Sequence, residues 1–458
     1  MLVKNQKILS QMLDIFKENI EKLPDIRKNK NNNVKYSMED IMLTPLSMFY
    51  MQSPSWLSFQ KKMETSKGIS NMTTIFGVNK IPTDNMVRKI VDEVDPYLLQ
   101  PVYDNILKLV KEHGIIKQFV VMDKYILVAL DGTYYHSSKT IKCDCCQTRT
   151  SKETGETTYL HSAITPTVVN PNINKAIPMM QEFISNTDGN ATKNDKQDCE
   201  VNAAKRWLEK FENITGYKII IIGDDLYSSE PMIEATIAKD YSYMFICKED
   251  SHIVLYEYVN TIKNLGNIDT VTTQEKIKKG RGKKAITTVQ TTTYNYINKV
   301  PIKGGEDALD TNWCEIIITN EDGKKIYHNC FVTDIEITDK NIIQITSCGR
   351  ARWKIENENN NTIKTKGYNL EHNFGHGKTY LSQTLCSLNI LTFLFHTIQE
   401  FIDEQYIELR TLTNTRIEFF EELRAVSTYI LFKNFELMLA WMIKSRQTDG
   451  NVDLTPYI

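Results

Sequence analysis

Residues 218–229 read KIIIIGDDLYSS: a lysine, four isoleucines, a glycine and then two aspartates. A run of β-branched residues stopped by an acid and turn-formers is the pattern of a buried strand that delivers a carboxylate to the edge of a sheet. The same pattern occurs upstream in YILVALDGT at 125–133, which ends at Asp131 as the later run ends at Asp224. Working outward, SSKTIKC reads as a second strand and TTYLHSAITPTVV as a third. A helix from about 198 to 213, the strand to Asp224, a helix after Pro231 and the strand YSYMFIC follow.

Three strands in hairpin order, then helix, strand, helix and strand, give the order of a ribonuclease-H-like mixed sheet. In that order Asp131 lies on the central strand and Asp224 on its neighbour, so both acids reach one end of the sheet. A third acid comes from RARWKIENENNNTIKTK at 350–366, where Arg352 and Glu356 stand four apart and share a helix face. Taken singly, each Asp reads as a turn-former or helix cap. Together, three carboxylates from two strands and a helix suit two Mg²⁺ or Mn²⁺ ions beside a phosphodiester, since hard cations take oxygen ligands.

Longer matching pieces accompany the acids. LDGTYY surrounds Asp131, KNDKQDCEVNAAKRW spans 193–207, GDDLYSS follows, and RWKIENENNNTIKTKGYNLEHNFGHGK spans 352–378, with YSMEDIMLTPLSMFYMQSPSWLSF ahead of them at 36–59. In these pieces the chain resembles the DDE transposases of bacterial insertion sequences over most of its length. The resemblance implies Asp131, Asp224 and Glu356 as catalytic metal ligands, with Asp224 preferred to Asp225 because it stands three residues before Tyr227. It also implies cleavage at the terminal inverted repeats of an element, strand transfer into target DNA, and a homodimer on double-stranded DNA. Two alternatives stay open: an endonuclease that cuts without joining, and an inactive DNA-binding derivative. One subgroup has a tyrosine three before the arginine and a lysine seven after the glutamate; here those positions hold Gly349 and Ile363, with Lys364 one residue late.

The expected fold is therefore mixed α/β, a ribonuclease-H-like sheet with a β-rich insertion and helical flanks. Residues 1–117 read as a helical DNA-end-binding region, 118–255 as the first part of the core, 256–345 as the insertion, 346–378 as the return carrying Glu356, and 379–458 as helical. Ser37 with Glu39 and Asp40 forms a capping box. IPTDNMVRKIVDEV at 81–94 reads either as the second helix of a helix-turn-helix, presenting Asn85 and Arg88, or as a helix packed on the core. The apolar stripes after 379 read as core or subunit contact.

Arg352, Trp353, Lys354, Lys364 and Lys366 flank Glu356 as candidate DNA contacts, Trp353 either stacking on a base or packing under the sheet. The run from Asn357 to Asn361 reads as DNA-facing or as compositional bias. Lys279 and Arg281, in KIKKGRGKK, read as a backbone contact or a solvated hairpin tip. Cys143, Cys146 and His161, with Cys145 and Cys199 nearby in sequence, read as a structural Zn²⁺ site or as free thiols at a hairpin base. His372 and His376 lie in EHNFGHGK, read as a glycine-rich turn against DNA more readily than as metal ligands.

Lys and Arg number 55 against 57 Asp and Glu, which excludes a uniformly basic DNA-coating protein but not local basic faces. The most apolar stretch, 388–402, is broken by His396, Gln399 and Glu400, so no membrane span is expected. With nine largely isolated cysteines and no apolar leader, a cytoplasmic bacterial protein with reduced thiols is the expectation.

Overall fold

The computed structural model of the chain describes residues 7–23, 25, 27, 34–63, 71–187, 197–279, 286–448 and 450–458. Its architecture is mixed α/β. A two-residue strand, Val120–Val121 (β1), folds back on Tyr125–Ala129 (β2), which is buried along its whole length. Gly132–Ser138 (β3) continues the line of β2 past Asp131. After the short Gln147–Thr150 (β4), the chain returns through Thr157–Ile164 (β5) and, past Pro166, Thr167–Val169 (β6). β2 pairs with β6 and β3 with β5, both antiparallel, yet the two pairs belong to different sheets. The bend lies at the first acid, where the Thr165 N–H donates to the Asp131 carbonyl (2.9 Å). Ile177–Pro178 (β7) pairs with β6, and Glu182–Ile184 (β8) with β5.

The strand expected through SSKTIKC instead begins at Gly132 and stops at Ser138. Ser138 Oγ accepts from the N–H groups of Thr140 (3.2 Å) and Ile141 (2.9 Å), so a side chain supplies the bonds that a ladder partner would have made.

Lys218–Gly223 (β9) lies parallel to β2, and Ser242–Ile246 (β10) parallel to β9, with the helices Glu200–Lys210 and Glu230–Ile237 as crossovers. The central order is β7-β6-β2-β9-β10. The isoleucine run is explained by burial on both faces. Ile219 and Ile221 point into one core with the flanking helices, whereas Ile220 and Ile222 point into a second core with Ile342, Ile345 and Ile355.

The insertion opens with a helix, Ile253–Asn264, where the sequence suggests β structure from 256. Asp269–Lys279 (β11), Ile286–Pro301 (β12), Asp310–Thr319 (β13) and Lys325–Thr333 (β14) then form an antiparallel meander. β14 pairs with β10, so the insertion extends the central sheet to ten strands instead of standing apart.

The two helical flanks share one core. Asn71 Nδ2 donates to the carbonyls of Ser427 (2.6 Å) and Ile430 (2.8 Å), and Tyr50 Oη to Gln399 Oε1 (2.6 Å). The helix Leu381–Ile402 is long and apolar enough to cross a membrane, but 83 % of its most apolar window is buried inside the protein. The C-terminal stripes are thus largely core. The helix Asp84–Val91 starts after Thr83 and buries Val87, Ile90 and Val91. Asn85 is exposed, but Arg88 is half-buried with its guanidinium over Trp56 (5.8 Å), which favours the packed-helix reading for that residue.

Candidate active site

The parallel register of β2 and β9 pairs Ala129 with Ile222. Asp131 and Asp224 each follow two residues later, so the two carboxylates leave adjacent strands at the same level. Asp224 Oδ1 caps the next turn by accepting from Leu226 N–H (3.0 Å). Asp225, its neighbour, is committed elsewhere, accepting from Lys248 N–H (2.6 Å) and Ser251 Oγ (2.5 Å).

The segment carrying the third acid is helical but not uniformly α. Ile342–Arg350 is α-helix, Ile355–Asn360 a π-helix and Asn361–Thr365 α-helix again. π turns are rare and concentrate at functional sites. A π turn closes its hydrogen bonds over five residues and so absorbs one residue more than an α turn. Lys364, eight residues after Glu356, therefore comes round to where the seventh would stand in an uninterrupted helix. Ile363 is fully buried in the core, away from the half-exposed Glu356 side chain. Gly349 has an equally local cause: a Cβ there would lie 2.7 Å from the Phe331 ring, so no tyrosine fits that position.

Arg352, Glu356 and Asn360, spaced four residues apart, form a ladder facing Asp131. Arg352 Nη2 pairs with Glu356 Oε1, and its Nη1 lies 3.8 Å from Asp131 Oδ1. Asn360 Nδ2 donates to Asp131 Oδ2 (2.8 Å), while Asn360 Oδ1 accepts from Thr165 Oγ1 (2.8 Å). The asparagine run is thus neither simply DNA-facing nor idle; Asn359 and Asn360 are buried, Asn360 holds the first acid and Asn359 Nδ2 donates to Asn360 Oδ1 (3.0 Å).

A fourth carboxylate, unmarked in the sequence reading, completes the group. Glu200 opens the helix Glu200–Lys210, accepts from the Gly132 N–H and receives Tyr227 Oη (3.4 Å). A Cβ at Gly132 would sit 2.3 Å from its carboxyl carbon, which accounts for the glycine of DGT. The available signal was an acid in the first turn of an amphipathic helix that follows the first acid's strand.

Burial pushes the Asp131 carboxyl up to about 7; Arg352 opposes the shift, and the carboxylates of Glu356, Glu200 and Asp224 add to it. Burial, then Asp224, raises Glu200. Hard oxygen donors crowded enough to hold one another's protons, with one guanidinium against four carboxylates, form a set whose charge a divalent cation would offset. The acids are open, however. Among the described residues, only two groups of potential ligands converge within 4.8 Å, Cys143, Cys146, His161 and His376 in one and Glu315, His328 and Cys330 in the other. In the latter, Glu315 already accepts from Lys263 (2.9 Å) and Asn295 (2.9 Å), an ion-paired network.

Of the expected DNA contacts, Trp353 is exposed (44 %), not packed under the sheet, and Lys366 is exposed. Lys364 pairs with Glu371 (2.9 Å). Lys354 is buried and donates to Asn174 Oδ1 (2.5 Å), so it braces the fold instead of facing solvent. Lys279 ends β11 at the far side of the insertion, and Arg281 lies outside the described residues, as do residues 193–196 of KNDKQDCEVNAAKRW. Cys143, Cys146 and His161 do come together, joined by His376; Cys199 is exposed as the N-cap of Glu200–Lys210 and is not among them. Compared with known proteins, the chain matches no protein-family model and no curated sequence.

Proposed function

We propose that this protein is a DDE-type DNA transposase, a metal-dependent phosphoryl-transfer enzyme that cleaves DNA at the ends of an insertion sequence and joins them to target DNA. The observation that carries the reading is the level placement of Asp131 and Asp224 on adjacent parallel strands, faced by the Arg352–Glu356–Asn360 ladder. The order β7-β6-β2-β9-β10, with three antiparallel strands followed by two parallel ones, supports a ribonuclease-H-like core.

In this reading Asp131, Asp224 and Glu356 hold Mg²⁺ or Mn²⁺, with Glu200 beside them. Such ions, when bound, lower the pKa of an attacking water and neutralise charge on the leaving oxygen. Asn360 fixes one oxygen of Asp131 and leaves the other directed at the cluster. Arg352, paired with Glu356, holds that acid's position and is a donor for a phosphate when the acid turns to the metal. Trp353, Lys364 and Lys366 offer a stacking face and two ammonium groups along the same segment. In cleavage, the water oxygen bonds to phosphorus as the bond to the 3′ oxygen breaks, leaving a 3′ hydroxyl. In joining, that 3′ hydroxyl oxygen bonds to a target phosphorus as the bond to the target strand's 3′ oxygen breaks, and that oxygen leaves as a hydroxyl.

The test uses the full chain, Mg²⁺ or Mn²⁺, and labelled duplexes bearing the ends of the DNA that flanks its gene. Nicking at the boundary followed by joined products, both lost in Glu356→Gln, is the expected result. Nicking without joining makes it an endonuclease, and binding without cleavage in either protein overturns the catalytic reading.

A further inference from the structure

Away from the acids, the turn between β3 and β4 meets the loop that follows the Glu356 segment. Cys143 and Cys146, in the turn, place their sulfurs 3.7 Å apart. His161 Nε2, from β5, lies 3.4 Å from each sulfur, and His376 Nε2 lies 3.5 Å from Cys146 Sγ across a separation of 230 residues. With Zn–S bonds of about 2.3 Å and Zn–N bonds of about 2.0–2.1 Å, a tetrahedral centre separates two sulfurs by about 3.8 Å and a sulfur from a nitrogen by about 3.6 Å. Four of the six edges therefore already stand close to those of that tetrahedron, and the other two are within 4.8 Å.

The ligands are also held in place. Tyr135 stacks on His161 with ring centroids 5.6 Å apart and planes 14° from parallel. The Cys146 N–H donates to the Cys143 carbonyl (3.2 Å), which closes the CxxC turn. His376 precedes Gly377, whose φ of +69° favours glycine and whose Cβ position is taken by Asp92 Oδ1, 2.3 Å away. Asp92 in turn accepts from the N–H groups of Thr379 (3.0 Å) and Leu381 (3.0 Å), fixing the loop to the start of the helix Leu381–Ile402. Nδ1 of His376 is buried with no partner among the described residues, so Nε2, facing the sulfurs, is the nitrogen with a neighbour to bind.

We propose that Cys143, Cys146, His161 and His376 form a closed structural Zn²⁺ site that ties the β3–β5 hairpin to the loop after the Glu356 segment. Four protein ligands with two thiolates and two imidazoles leave no open position for a substrate, which assigns the ion a structural role. Because β3 begins immediately after Asp131 and the His376 loop follows Lys366, the ion joins the two stretches of chain that carry the first and third acids. Zinc binding should release the two thiol protons to solvent. This site does not depend on the transposase reading.

The test is metal analysis of the full chain expressed with added Zn²⁺, with Co²⁺ exchange as the spectroscopic probe. The expected content is about one zinc per chain, and the cobalt form should show tetrahedral ligand-field bands with a sulfur-to-cobalt charge-transfer band. Cys146→Ser and His376→Ala should each lose the ion, whereas Cys199→Ser should keep it. Where a variant fails to fold, the wild-type cobalt spectrum decides. No zinc in the wild type, retention in both ligand variants, or a cobalt spectrum without the sulfur band would each overturn the proposal.

Discussion

Two polar clusters of this molecule are built on opposite plans. Around Asp131, the carboxylates of Asp224, Glu200 and Glu356 gather without converging on one point, the Arg352 guanidinium lies against Glu356 and Asp131, and the Glu356 side chain is half exposed. Around Cys146, two thiols and two imidazoles converge within 4.8 Å behind packed aromatic rings. On the two proposals above, the difference separates a centre that must admit a substrate from one that only has to hold chain segments together. In the open cluster, burial and then neighbouring charge raise the carboxyls of Asp131 and Glu200, and the closed one gives up access for geometry.

The contrast is sharpest in the acids themselves. Asp131→Asn or Glu356→Gln should lower Mg²⁺-dependent DNA cleavage by about 10²-fold or more without lowering the melting temperature, which Asp131→Asn should raise in metal-free protein near pH 7 by removing a buried charge, as single-turnover assays and calorimetry would record. An equal loss on removing zinc ligands alone, with the acids intact, would erase the distinction between the two clusters.

Next in size is Asn360, a positioning residue. Asn360→Ala should cost about 10- to 100-fold in cleavage with DNA affinity unchanged, measured by a split between rate and binding, and Asn360→Asp should not rescue it because a carboxylate cannot donate to Asp131.

The raised carboxyl gives a pH dependence with a defined sign. Since cation binding needs ionised Asp131, Mg²⁺ affinity should rise as pH passes through about 7. Glu200→Gln removes one repelling charge and should move that midpoint to lower pH, which calorimetric titration at several pH values would detect. For the metal-free protein, the folded Asp131 pKa of about 7 exceeds the unfolded value of about 3.9, so the native state binds the extra proton between them. Stability should therefore fall as pH rises through that window, and Asp131→Asn should flatten the slope.

The smallest effects belong to the rim. Lys366→Ala and Lys364→Ala should each weaken binding to DNA ends a few-fold and reduce the salt dependence by about one counterion, measured by anisotropy at several ionic strengths. Lys354→Ala should act instead on stability, because its ammonium is buried against Asn174.

Local pattern carried far in this chain. The isoleucine run predicted a buried strand, YILVALDGT a second one that ends two residues before Asp131, and Thr83 and Ser37 marked helix starts. The pattern failed where a contact from distant chain decides the outcome. Nothing near Ser138 in sequence foretold that the hairpin would bend at Asp131 into a second sheet. His376 looked like part of a glycine-rich turn because its sulfur neighbours lie 230 residues upstream. The helical flanks read as separate regions because each is amphipathic by itself; only packing shows that they share one core.

By itself, then, the sequence determined the strands leading to the two aspartates, the helix starts at Ser37 and Thr83, and the residue types able to hold hard and soft cations, because hydrophobic period and side-chain chemistry are local properties. Tertiary structure alone decided which of those residues meet. It set Asp131 level with Asp224 through strand register, brought Glu200 in beside them, inserted the π turn that carries Lys364 round, and brought His376 against the two thiols. Each is fixed by a contact between segments far apart in the chain, and no local propensity encodes such a contact.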